Sequence, residues 1–230
     1  MKQTIPKKLA SGVVAAAMTL SLLPAAALAA DSEYSASGAT GSAFTDSGIA
    51  AEDGSYTGYK ISGTDLTIQD SGTYIVSGNC SDGSITIKKG TTGVTLVLDG
   101  LTLTSEDTAP IACNKSSEVK IVAASGTGTL NISAGDDAIH CDYVMNVGAS
   151  GTTGPSITIK ACYEGLEAAT LNILSGNISI LSEDECLNAA NSDFTGYSFS
   201  MTISGGAITA YSSTGDGFDS NGDLTIMGGT

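Results

Sequence analysis

From Tyr59 onward, apolar β-branched and aliphatic residues alternate with Ser, Thr and Asn in short runs cut by Gly, Asp and Asn. Ile85-Thr-Ile87, Val94-Thr-Leu96-Val-Leu98, Leu101-Thr-Leu103, Val119-Lys-Ile121 and Leu130-Asn-Ile132 come first. They are followed by Ile157-Thr-Ile159, Leu171-Asn-Ile173, Ile178-Ser-Ile180, Met201-Thr-Ile203, Ile208-Thr-Ala210 and Leu224-Thr-Ile226. A period of two puts the apolar side chains on one face of an extended strand, and the interrupting residues are turn formers. No segment carries a helical period, so the pattern predicts an all-β chain.

Two elements repeat. The first is acid, small, large apolar, polar: Asp137-Ala-Ile139-His140, Glu164-Gly-Leu166-Glu167, Glu185-Cys-Leu187-Asn188 and Asp216-Gly-Phe218-Asp219, with Ile111 as a possible earlier member. The second is strand, Gly turn, strand, at Leu171–Ile178, Met201–Ile208 and Leu224–Thr230. Unequal spacings with conserved internal register suit coils joined by loops of different length, so the chain reads as a parallel β-helix, a β-solenoid. The third copy of the second element stops at Thr230, where the others continue into Ile178 and Ile208, which predicts a solenoid cut in mid-coil.

Composition narrows the chemistry. Gly fills 29 of 230 positions, nearly double the usual ~7%, which opposes a helical bundle. All nine basic residues are Lys, so no Arg can clamp a phosphate or carboxylate. Against them stand 24 acids, a formal charge of −15 without any basic stripe, which excludes nucleic acid as a partner.

Lys2, Lys7 and Lys8 precede an apolar run from Leu9 to Leu28, and Ala27-Leu28-Ala29 has the form that signal peptidase cuts. Residues 1–30 are therefore predicted to be a signal peptide and the mature chain to be secreted or displayed on the cell surface. Losing those three Lys and no acid takes the charge from −15 to −18. No later run is long enough to span a membrane. Residues 31–58 are small, polar and aperiodic and read as a flexible Ser/Gly/Ala-rich linker; residues 59–230 read as the β-helix domain. Nothing in the sequence sets an oligomeric state.

Cys80, Cys113, Cys141, Cys162 and Cys186 are odd in number and contain no C-x-x-C, so neither a zinc ribbon nor a thioredoxin motif is present. Cys113 and Cys141 each follow the apolar marker by two residues and are expected to stack on neighbouring coils. Buried packing accounts for the cysteines, with one disulfide left open.

Stacking the coils brings Asp137, Glu164, Glu185 and Asp216 into one column and His140, Glu167, Asn188 and Asp219 into another, with Asp136 and Asp184 beside the first. Carboxylates about 4 to 5 Å apart repel, so such columns require a counter-cation or raised pKa values. Hard oxygen ligands without a convergent His or thiolate point to Ca2+. The metal-ligand candidates are thus Asp136, Asp137, Glu164, Glu167, Asp184, Glu185, Asn188, Asp216 and Asp219. The Asp216–Asp223 stretch is not an EF-hand, since no Glu closes it. His140, the only His, has no nucleophile elbow to serve and is assigned to cap the acidic column on its first coil. Gly126-Thr-Gly128 lacks the third Gly of a phosphate loop.

The run EGLEAATLNILSGNISILSEDECLNAAN from Glu164 to Asn191, with GDDAIH and STGDGFDSNGDLTIMGG, resembles a family of secreted bacterial carbohydrate-binding proteins. That resemblance implies a right-handed parallel β-helix similar in fold to pectate lyases, calcium binding, and association with acidic plant polysaccharides such as polygalacturonate. Family members carry Asp-Asp-Gly-Ile-Asn-like turns; here Cys186 replaces the Gly, and His140 departs from the polar oxygen column. The function expected is a calcium-dependent carbohydrate-binding protein for acidic, pectin-type polysaccharide, in which calcium bridges to sugar carboxylates. Two alternatives stand beside it. One is a calcium-dependent polysaccharide lyase, for which Lys160 is the candidate base. The other is a structural adhesin or stalk. Substrate-binding residues are not assigned.

Overall fold

The computed structural model describes residues 38–51, 58–125, 128–191 and 197–230. The described residues contain strands and turns and no helix, hence no helix long and apolar enough to cross a membrane. The proposed signal peptide lies outside them.

Each alternating run in the sequence becomes a strand whose apolar positions are buried, as in Ser84–Ile87 and Ser156–Ile159. Parallel pairing then stacks equivalent positions. One inward column runs Leu66, Ile85, Ile111, Ile139, Leu166, Leu187, Phe218. A second runs Tyr74, Leu96, Ile121, Val147, Ile173, Ile203, Ile226. A third runs Leu101, Leu130, Ile157, Ile178, Ile208. Three stacked faces enclosing one continuous apolar core make a parallel β-solenoid of about six turns. The first column contains the predicted markers and extends them two rungs back, to Ile85 and Leu66. Those rungs lack the acid two residues before the apolar marker that made the repeat visible.

The Val94–Leu98 and Leu101–Leu103 runs, separate in the sequence, belong to one strand, Val94–Ser105, which turns the corner at Gly100 with φ +72°. Cys113 and Cys141 are register partners, and all five cysteines are buried and free. Burial pushes the Cys113 thiol well up and the Cys162 thiol to about 12.

The linker assignment for residues 31–58 is overturned for the part described. Thr40–Thr45 and Gly48–Ala51 form a hairpin, and the first strand pairs in parallel with the strand Gly72–Cys80. Phe44 is buried in the core and alternates with buried Ser42. The single large apolar residue among small ones hides the period of two from composition. Gly78 admits this strand: a Cβ there would lie 2.2 Å from the Phe44 carbonyl oxygen. This hairpin and the antiparallel pair Tyr59–Ser62 with Asp65–Ile68 lie at the first coils. The last coil leaves Leu224, Ile226 and Met227 exposed, beside a depression of about 210 Å³ lined by Ile203, Ile208 and Phe218.

Candidate functional site

The short strands that carry the first inward column also carry an outward one: Thr67, Thr86, Ala112, His140, Glu167, Asn188, Asp219. The turn entering each of these strands delivers the other acids. Ladder bonds from Ala138 N to Glu164 O, Gly165 N to Glu185 O and Cys186 N to Asp216 O fix Asp137, Glu164, Glu185 and Asp216 one above another.

Register does not distribute the nine candidate ligands evenly. Two clusters form, each with oxygen or nitrogen atoms within 4.8 Å of one another: Asp137, His140, Glu167 and Glu164, Asp184, Glu185. Asn188 joins the second by donating Nδ2 to Glu164 Oε2 at 2.8 Å. Asp136, Asp216 and Asp219 fall outside both. Asp136 is exposed and uses its carbonyl to accept from Tyr163 N, and Asp216 is exposed at the following turn. Asp219 continues the outward column below Asn188.

The first cluster corrects the expectation that no His converges with the acids. His140 Nδ1 lies 3.0 Å from Asp137 Oδ2 and 2.5 Å from Glu167 Oε2, and Nε2 lies 3.2 Å from Asp142 Oδ1. Asn191, 49 residues further on, steadies Asp142 through Nδ2 at 2.9 Å. Hydrogen bonds to Asp137 and Glu167 raise the His140 pKa to about 11, so the ring is an imidazolium at any physiological pH. Burial raises the Glu167 carboxyl, and the imidazolium opposes that rise. This cluster supplies its own cation.

Among the described residues, no basic side chain partners the second cluster. Burial raises Glu164 to about 7, assisted by Glu167, Asp137 and Glu185 and opposed by the Asn188 hydrogen bond. Glu185 is raised as well, by burial and then by Asp184. Asn188 is itself buried, and its Oδ1 lacks any hydrogen-bond partner. An orphaned buried carbonyl beside three crowded carboxylates is costly without a ligand, and these donors are all hard oxygens. Oxygens bound 2.3–2.6 Å from one calcium ion lie at most about 5 Å apart, which this cluster satisfies.

Asp142 and Asn191 went unassigned in the sequence because neither belongs to the four-residue repeat. Lys160, the candidate lyase base, is exposed at the end of Ser156–Ile159, with its amide bonded to Ile132 O.

The chain superimposes on the structure titled "polysaccharide lyase-like protein from C. thermocellum, Gadolinium derivative" with a TM-score of 0.54 and 19% identity. The match covers 83% of this chain and 99% of that one. At that identity the likeness shows a shared parallel β-helix. No curated protein matches the chain. In sequence, residues 62–128 match the family model described as carbohydrate-binding domain-containing protein.

Proposed function

We propose that the protein is a secreted, calcium-dependent carbohydrate-binding protein for acidic, pectin-type polysaccharide. The observation that carries this reading is the crowding of the Glu164, Asp184 and Glu185 carboxylates, with the buried, unpartnered Asn188 Oδ1 on the residue that donates to Glu164. The carbohydrate-binding family model over residues 62–128 and the polysaccharide lyase-like neighbour support polysaccharide as the partner. Export rests on the N-terminal sequence.

Glu164, Asp184 and Glu185 would hold the ion, with Asn188 Oδ1 as a neutral donor. A bound calcium ion supplies a positive, oxygen-seeking centre that can bridge to uronate carboxylates. Without it a chain of this charge repels such a polymer. The protein's part is to hold the carboxylates in place on paired strands and to keep His140 between Asp137 and Glu167. That leaves the neighbouring cluster as the one in need of a cation.

Co-sedimentation with insoluble polygalacturonate, in calcium and in chelator, tests this. Calcium-dependent pelleting without unsaturated uronide in the supernatant is expected. Unsaturated product would replace the binding reading by the lyase, and no pelleting in either condition would leave the structural stalk.

A further inference from the structure

The described residues expose seven large hydrophobic side chains, and five of them, Tyr211, Phe218, Leu224, Ile226 and Met227, lie on or beside the last strands of the solenoid. Leu181 does not share that explanation. Its strand, Asn177–Ser182, has a parallel neighbour on each side, yet Leu181 is 45% exposed because strict alternation points it outward. Its register partner Tyr211, on the last strand of that face, points outward by the same alternation and is 63% exposed. On the preceding rung Ile159 pairs with Ile180, and the register then slips by one residue, with Ala134 N bonded to Ala161 O and Glu183 N to Cys162 O, so the exposed pair Lys160 and Ala161 together stands opposite Leu181. Lys160, Leu181 and Tyr211 therefore form one outward column with steps of about 4.8 Å. Earlier rungs of the same column hold Ser133 and Thr104, so the change from hydroxyls to a Lys-Leu-Tyr strip occurs within the last rungs.

The strip adjoins the acidic cluster. Tyr163, three residues past Lys160 and 45% exposed, donates its hydroxyl to Asp184, which is three residues past Leu181. Lys160 is the single Lys between residues 121 and 230, a stretch that holds twelve of the 24 acids. An exposed Leu and Tyr in line, one Lys, and a candidate cation cluster at the adjoining corner match one kind of occupant. A pyranose ring has an apolar C–H face to pack on Leu and Tyr, and a uronate adds a carboxylate for Lys.

We propose that Lys160, Leu181 and Tyr211, with Tyr163 at the corner, form a ring-stacking subsite for an acidic polysaccharide strand lying along the solenoid axis. Lys160 meets one sugar carboxylate directly, and the next carboxylate faces the Glu164–Asp184–Glu185 cluster. This rests on the polysaccharide-binding reading above and assigns it a contact surface.

The test uses the mature protein in calcium, with an oligogalacturonate and its partly methyl-esterified form as probes, read by calorimetry. Leu181→Ser combined with Tyr211→Ala should weaken binding of both probes about tenfold, because each loses buried ring contact. Lys160→Gln should weaken the fully carboxylated probe more than the partly esterified one. All three sites are exposed, so the calcium-dependent rise in Tm should survive in every variant and report an intact fold and cation site. Wild-type affinity in both variants, with binding abolished by Glu164→Gln, would overturn the subsite and spare the calcium-bridged reading. Failure of the wild-type protein to bind either probe, or insoluble polygalacturonate, would overturn both.

Discussion

The same outward column has two characters. On its first three rungs it presents Thr67, Thr86 and Ala112, and on its last four His140, Glu167, Asn188 and Asp219. The inward column beside it is aliphatic on six of its seven rungs, with Phe218 on the last. Lys follows the same division: Lys60, Lys88, Lys89, Lys115 and Lys120 belong to the earlier coils, and Lys160 to the later ones. Backbone pairing and inward volume thus set the fold in both regions, while the outward positions are free to differ. The later coils use that freedom to crowd carboxylates at a cost in repulsion and desolvation, the pattern of a site rather than a wall.

Substitutions should separate the two regions by inside against outside before early against late. Ile85→Ala and Leu166→Ala, one from each region and both fully buried, should each destabilise by about 2–5 kcal/mol in denaturant unfolding. Equal losses are expected, and an intact protein after either change would contradict a shared core.

His140→Ala should come next. It leaves Asp137, Glu167 and Asp142 without their cation and should cost about 1–3 kcal/mol at pH 7, reduced from a fully buried pair because His140 is 29% exposed. The folded-state pKa lies above the ordinary 6.5, so the contribution is fully present below about 6.5 and is lost as pH rises through about 11. The wild-type and His140→Ala melting curves should therefore converge in alkali.

Glu164 has the opposite origin, since burial rather than a partner raises it. Between its ordinary 4.5 and about 7 the folded chain binds more protons than the unfolded one, so metal-free stability falls as pH rises through that window. Glu164→Gln should flatten this fall and abolish the calcium-induced rise in Tm. Calcium affinity should weaken below about pH 7 as protons compete. A calcium response unchanged between pH 5.5 and 8 would remove Glu164 from the ligands.

The smallest effect belongs to the early outward position. Thr86→Ala should change stability by no more than about 0.5 kcal/mol and leave calcium binding intact, measured by the same melts.

The resemblance read from the sequence concentrated after about residue 130, on the acidic turns, whereas the family model matches residues 62–128. The acids form a visible repeat because charge stands out against Ser and Thr. The earlier coils share the strand register without that marker. Phe44 shows the limit of periodicity: one large apolar residue in a strand of small ones is core, and its segment read as linker.

The sequence by itself determined the strands, the inward columns and the stacking of Asp137, Glu164, Glu185 and Asp216, because a period of two and a repeating tetrapeptide are local and set register directly. Only the tertiary structure decided which acids converge. Asp184 and Glu185 lie on the rung next to Glu164 and Asp216 lies one rung further, so Asp184 joins Glu164 and Asp216 does not. Asn191 reaches Asp142 across 49 residues, and His140 takes the place of a cation between Asp137 and Glu167. Such contacts depend on distances across rungs, which no local pattern in the chain records.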